Sequence, residues 1–218
     1  FVSSNAFCID IGTDHALLPI HLIKTKKIQR AFAVDKNPKP LVFAQKNIVH
    51  FQVEKQCIVF QSDGFTKLKY STPATICIAG IGGHSIVSIL ARRDQSMHNK
   101  HPITDVIVQP NNDIPVVRRI FSQWQWKLIQ ERIIYERGRF FTTMKWNTEL
   151  CLQAPLTDRQ CYLGPILLSK SSPTYVRWLK HEQKRLVGIR KKAGSSFTKH
   201  QELLWIDEAV CLSTSSPN

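Results

Sequence analysis

The feature that most constrains this chain is the alternation of short β-branched or apolar runs with stretches of helical length. A strand that meets its neighbour only after an intervening helix joins a parallel sheet covered by helices on both faces. The runs Ala6–Ile11, Arg30–Val34, Gln56–Gln61, Ala74–Ala79 and Asp105–Gln109 read as strands, and Leu17–Thr25, Pro38–Phe51, Gly83–Arg92 and Ile114–Gln123 as helices. After the fifth strand the pattern changes. Lys127–Tyr135 and Phe140–Trp146 are strand-like runs joined by the turn Glu136–Arg139, which predicts a closing β-hairpin. From about Leu163 the strands stop, with Pro165 and Ser171–Pro173 as breakers. Helices are expected over Thr174–Lys192 and Gln201–Leu212, joined at Gly194–Ser196 as an antiparallel pair. The 218 residues thus divide into an α/β domain over 1–163 and a small helical domain over 164–218.

The most informative stretch is FCIDIGTDHALLP, from Phe7 to Pro19, in which a buried strand runs into a glycine turn and then a helix. In open α/β sheets, ligands sit at the carboxyl ends of such strands, over the helix N-terminus. A dinucleotide fingerprint places a glycine where the backbone approaches a pyrophosphate, and here that position is Asp14. A carboxylate against a diphosphate is repulsive by roughly a kcal/mol or more at a few Å in a partly desolvated site. S-adenosylmethionine has no phosphate, and its ammonium and sulfonium are cations, so the acidic turn Asp10-x-Gly12-x-Asp14 suits it and disfavours NAD. A P-loop is excluded because no G-x-x-x-x-G-K-[ST] occurs.

Other strand ends extend this reading. Asp35 closes the second strand at the distance where a carboxylate accepts both ribose hydroxyl hydrogens. The third strand leads into Ser62-Asp63-Gly64, where Asp63 is placed to accept from an adenine amino group, although any single Asp here also reads as a helix cap. Ala79-Gly-Ile-Gly-Gly83 ends the fourth strand with little side chain, so that a cofactor or a flat base can approach closely. Gln109-Pro-Asn111 ends the fifth with amides that can bond a base edge. The candidate cofactor contacts are Asp10, Gly12, Asp14, His15, Asp35, Ser62, Asp63, Gly64, Ala79, Gly80 and Gly82, with Gly83, Gln109 and Asn111 facing substrate. His15 has no histidine four residues on, so it reads as orienting the loop, and no metal is expected.

The formal net charge of +14 favours a polyanionic partner. The basic residues concentrate in Lys170–Lys199, where Lys180, Lys184, Arg185, Arg190, Lys191 and Lys192 can track phosphates while Tyr175 and Trp178 pack inward. Arg118, Arg119, Arg132, Arg137 and Arg139 are read as extending this surface, and Phe140–Phe141 as core. The six cysteines (Cys8, Cys57, Cys77, Cys151, Cys161 and Cys211) lack metal-binding spacing and read as reduced core residues of a cytoplasmic protein. No apolar run approaches the roughly 18 residues of a membrane helix.

DIGTDHALLP (Asp10–Pro19), AGIGG (Ala79–Gly83), QPN (Gln109–Asn111) and LGP (Leu163–Pro165), in this order ahead of a helical pair, resemble the bacterial TrmK family. The resemblance spans nearly the whole chain. It implies a Rossmann-like class I methyltransferase domain, S-adenosyl-L-methionine as methyl donor, and methylation of N1 of adenine 22 in tRNA, with Asp14 as the candidate catalytic carboxylate and a monomeric enzyme. Three departures stand out, one of them a C-terminal helical hairpin that is short for the family. A helix that the family places ahead of the first strand has no counterpart in the sequence, and the linker Arg92–Pro102 is unusually basic. The residues leave two other readings open: a methyltransferase with another substrate, and a non-catalytic RNA-binding protein that retains the fold.

Overall fold

The computed structural model describes residues 1–65, 68, 70, 72–92 and 103–214. The elements follow as β1 (Phe7–Ile11), α1 (Leu17–Lys24), β2 (Arg30–Asp35), α2 (Pro38–His50), β3 (Cys57–Gln61), β4 (Ala74–Ile81), α3 (Gly83–Ala91), β5 (Ile103–Pro110) and α4 (Ile114–Gln123). Then come β6 (Lys127–Glu136), β7 (Arg139–Asn147), α5 (Asp158–Leu163), α6 (Pro165–Lys170), α7 (Pro173–Ala193), a 3-10 turn at Gly194–Ser196 and α8 (His200–Thr214). The predicted strands and long helices are all present to within two residues at each end. The basic linker lies outside the described residues beyond Arg92.

The sheet has seven strands in the order β3-β2-β1-β4-β5-β7-β6. β1 pairs in parallel with both β2 and β4, so the chain order reverses between β1 and β4 and leaves a crevice at their carboxyl ends. The expected hairpin closes one edge, β7 running antiparallel to β5.

Side-chain parity explains why the strands read as continuous apolar runs. Ile9, Ile11, Val34, Ile76, Ile78, Val106 and Val108 point to one face, against Ile86 and Leu90 of α3 and Val117 and Phe121 of α4. Cys8, Ala31, Ala33 and Cys77 point to the other, where their small size lets Ile20 and Ile23 of α1 and Ala44 and Ile48 of α2 approach closely. Four of the cysteines are buried as expected, whereas Cys151 is half-buried and Cys211 is exposed on α8, whose outer face is solvated.

Two elements depart from the sequence reading. Pro165 does not break a helix but begins one, since its missing N–H is no loss at the first helical position. Ahead of it, α5 is held by a capping box between Thr157 and Gln160. A third cluster, with Leu163, Leu167, Tyr175, Leu179, Leu186, Leu203 and Ile206, packs these helices together and against Ile133 of β6. α7 and α8 form the expected antiparallel pair, tied by Gln183 donating to Asp207 at 2.7 Å.

Candidate cofactor and substrate site

At the carboxyl edge of the sheet lies a cavity of about 500 Å³, within the range typical of small-molecule sites. Of the residues singled out in the sequence, it brings together Gly12, Asp35, Ser62, Asp63 and Gly64. Asp35 Oδ1 accepts from the Asn37 backbone N–H at 2.8 Å, and its other oxygen makes no hydrogen bond among the described residues, as a ribose hydroxyl would require. Asp63 is held by Arg92, whose Nη1 and Nη2 donate to its two oxygens at 2.7 and 3.2 Å. That hydrogen-bonded pairing keeps the Asp63 carboxyl below its ordinary value. The carboxylates, hydroxyl and backbone groups of these five residues, around an open glycine turn, fit an adenosine carrying a cationic tail, with Lys36, His84 and Arg92 also in the wall and Arg92 neutralised by Asp63.

The turn after β1 is shaped by Gly12 at φ 79°, where the peptide folds back so that Gly12 and Thr13 N–H groups both donate to the Val34 carbonyl. Asp10 lies beneath this turn rather than in the cavity. It is 5% exposed and accepts from Thr13 Oγ1 at 2.7 Å. Burial pushes its carboxyl up to about 6, partly countered by the Thr13 hydrogen bond. Asp14 sits in the left-handed region at φ 49°, with its side chain turned to solvent 3.4 Å from His15 Nε2. Neither Asp14 nor His15 lines the cavity, and both stand on the turn beside it.

The loops after β4 and β5 are laced together. Gly80 N–H donates to Gln109 Oε1 at 3.2 Å, Asn111 Nδ2 donates to the Gly80 carbonyl at 2.6 Å, and Gly83 N–H donates to Asn112 Oδ1 at 3.2 Å. The Gln109 and Asn111 amides therefore brace the glycine loop in this structure, with only their remaining hydrogens and lone pairs open to a base. Gly83 tolerates no side chain, because a Cβ there would stand 2.8 Å from the Asp113 carbonyl oxygen. Ala79 and Gly80 are exposed at the edge beside the cavity, and Gly82 caps α3.

Sequence reasoning missed the wall formed by His84, Ser85, Ser88, Ile89 and Arg92, together with Lys36 and Asn37. A signal was there: positions 84/85, 88/89 and 92 recur at helical spacing and lay a mostly polar stripe along an otherwise apolar helix.

The basic surface is partly as expected. Lys180, Lys184, Arg190, Lys191 and Lys192 are exposed on α7, while Tyr175 is fully buried and Trp178 is half-buried. Arg185 is exposed but donates through Nε and Nη2 to Glu182 at 2.7 and 2.5 Å. Arg118 corrects the reading of a surface cation. It is 2% exposed and pairs with Glu131 at 2.7 Å inside the protein. Arg119 is half-exposed but bound to Asp158. Among the described residues no helix is long and apolar enough to cross a membrane, and no group of His, Cys, Asp or Glu is arranged to hold a metal.

The sequence matches a family described as a methyltransferase domain over residues 1–144. It is 28% identical over 208 residues to the tRNA (adenine(22)-N(1))-methyltransferase of Bacillus subtilis, covering 92% of this chain and 86% of that protein. It is 30% identical over 162 residues to a Mycoplasma pneumoniae protein assigned as a tRNA methyltransferase, covering 73% of this chain and 72% of that one. Its fold superposes with a TM-score of 0.84, at 26% identity and over 96% and 94% of the two chains, on a Streptococcus pneumoniae protein assigned as a tRNA (m1A22) methyltransferase, solved with S-adenosyl-L-methionine. With its glycine turn, acidic strand ends and helical C-terminal region, the chain belongs to the methyltransferase-domain family and, within it, to the TrmK family.

Proposed function

We propose that the protein is an S-adenosyl-L-methionine-dependent tRNA methyltransferase acting on N1 of an adenine, at position 22 by the likeness to its relatives. The observation that carries this reading is the cavity at the point where the strand order reverses, with Asp35 and Asp63 at its strand ends and Asp10 under its glycine turn. Residues 1–163 supply the cofactor and reaction site, and 164–218 supply a basic face for RNA. The enzyme acts as a cytoplasmic monomer.

S-adenosyl-L-methionine, when bound, supplies an electrophilic sulfonium methyl group. Asp35 holds the ribose hydroxyls, and Asp63, oriented by Arg92, accepts from the adenine amino group. Asp10 and Asp14 set a negative field around the β1 turn that favours a cation there. Adenine N1 would attack the methyl carbon as the methyl–sulfur bond breaks and the neutral thioether leaves, so the residues' positioning of the two would carry most of the rate and no covalent enzyme intermediate is needed. As positive charge builds on the target ring, the exposed Asp14 carboxylate beside the crevice stabilises it or accepts the N6 proton. N1 lies on the pairing edge, so the base must leave its helix to reach the Gly80–Gly83 loop.

The test is to incubate the protein with unmodified tRNA and S-adenosyl-L-methionine and digest the RNA for 1-methyladenine. Asp35→Ala is expected to weaken cofactor binding by titration calorimetry on the order of 100-fold, the worth of two hydrogen bonds to a charged acceptor. No cofactor binding by the folded wild-type chain would leave the non-catalytic RNA-binding reading.

Replacing Lys180, Lys184 and Lys191 one at a time by Ala is expected to weaken tRNA binding a few-fold each. Each replacement should also reduce the slope of log affinity against log salt by about one. An unchanged slope in all three would remove α7 from the interface.

A further inference from the structure

We propose that a second cavity, between the α/β sheet and the C-terminal helices, holds a nucleotide of the tRNA next to the methylated adenine; the inference rests on the tRNA methyltransferase reading above. The cavity measures about 350 Å³ and shares no lining residue with the cofactor cavity. It nevertheless opens on the same edge of the sheet. β5 and β7 are in register at Val108 and Met144, so Thr142, which lines the second cavity, lies two residues further toward the carboxyl end of β5. Asp113 and Ile114, also in its wall, directly follow the loop in which Gln109 and Asn111 bond Gly80 and Asn112 bonds Gly83. A base standing over the glycine loop therefore has this cavity beside it, one short loop away.

The chemistry of the wall suits a nucleotide. Trp178 lines the cavity and is stacked on Tyr175 at 5.4 Å between ring centroids and 24° between planes, so a base laid on Trp178 would extend an existing stack. Three cations line the same space, of which Arg118 is paired with Glu131 inside the protein. Arg185 is fixed by both oxygens of Glu182, whose carboxyl burial raises but the hydrogen bonds of Arg185 and Tyr162 lower further, leaving it below its ordinary value and ionised at neutral pH. Lys199 makes no ion pair among the described residues and is free to meet a phosphate. A purely structural seam between two halves of a protein would be expected to close over apolar side chains. This one, beside apolar Ile114, Val116, Ile133, Leu163 and Leu167, also presents an indole, an oriented guanidinium and an uncommitted ammonium, with the carboxylates of Asp113 and Glu182 in the same wall.

The test uses tRNAs with an abasic nucleotide immediately 5′ or immediately 3′ of the methylated adenine, assayed with wild type, Trp178→Ala, Trp178→Phe and Lys199→Gln. One abasic tRNA is expected to raise the wild-type KM about tenfold, and Trp178→Ala to raise the KM of intact tRNA by about the same factor. Trp178→Ala combined with that abasic tRNA should give no further increase, since both remove one stack. Trp178→Phe, which keeps a ring, is expected to recover most of the loss, and Lys199→Gln to raise KM a few-fold with a shallower salt dependence. The dissociation constant for S-adenosyl-L-methionine should stay within twofold of wild type in every variant, which separates this effect from misfolding. Multiplicative effects of Trp178→Ala and the abasic nucleotide, or insensitivity to both abasic positions, would overturn the proposal. Wild type that binds the cofactor but forms no 1-methyladenine would overturn the parent reading and this one with it.

Discussion

Arg118→Met is expected to lower the unfolding free energy by about 3–5 kcal/mol, the usual result of removing one member of a buried ion pair. In a chain of this size that corresponds to a fall in thermal midpoint of about 10 °C. The reason is the number of groups the pair satisfies. Arg118 Nε donates to Glu131 Oε1 at 2.7 Å, and its Nη1 donates to the carbonyls of Cys161 and Tyr162 at 2.8 and 3.2 Å, at the end of α5. Glu131 Oε2 accepts from the Ile166 and Leu167 N–H groups at 3.0 and 3.3 Å, at the start of α6. One ion pair thus satisfies the end of one helix and the start of the next, and ties both to α4 and β6. Gly164 between the helices has φ 83°, and a Cβ there would stand 2.5 Å from Arg118 Nη2, so the guanidinium fills the space a side chain would need. The double variant Arg118→Met/Glu131→Leu removes the uncompensated charge but leaves four backbone groups without partners, so it is expected to regain only part of the loss. Thermal melts of the two single variants and the double variant measure this. A double variant as stable as wild type would mean that the backbone bonds contribute nothing.

Asp10→Asn is expected to stabilise the cofactor-free protein while weakening cofactor binding at least tenfold. The wild-type carboxyl is buried and its pKa is raised from 3.8 to about 6, so it is ionised at neutral pH at a cost of up to about 3 kcal/mol relative to the unfolded chain. The sign follows from proton uptake. Between about pH 4 and pH 6 the folded state holds a proton that the unfolded state has lost, so this group's stabilising contribution is complete below pH 4 and disappears as pH rises through 6. Asn carries no such dependence and can still accept from Thr13. The stability advantage of the variant should therefore grow from pH 4 to pH 7, as read by chemical denaturation at each pH. Wild-type affinity for the cationic cofactor should fall below pH 6, and that of the variant should not. A variant no more stable than wild type at pH 7 would count against the burial argument. Retained affinity would remove Asp10 from the cofactor site.

These two residues also mark where the sequence could and could not be read. Asp10 was legible as a candidate site residue because a carboxylate before a glycine turn at a strand end has few other uses, but the structure buries it under the turn, outside the cavity, where Thr13 folds back over it. Arg118 looked like one more surface cation among many. Its role depends on Glu131, thirteen positions away, and on two six-residue helices too short for any periodicity to reveal.

The sequence by itself determined the sheet, its order of strands and long helices, the acidic turn and the basic α7, because each leaves a local mark: apolar runs where both faces are buried, a glycine where φ turns positive, a run of one charge where a helix face meets water. Only the tertiary structure decided which cations are spent inside the protein, that α3 lends a polar stripe to the cofactor cavity, and that a second cavity opens beside the Gln109–Asp113 loop. Those outcomes depend on which distant elements meet, and no spacing along the chain encodes the partner across a gap.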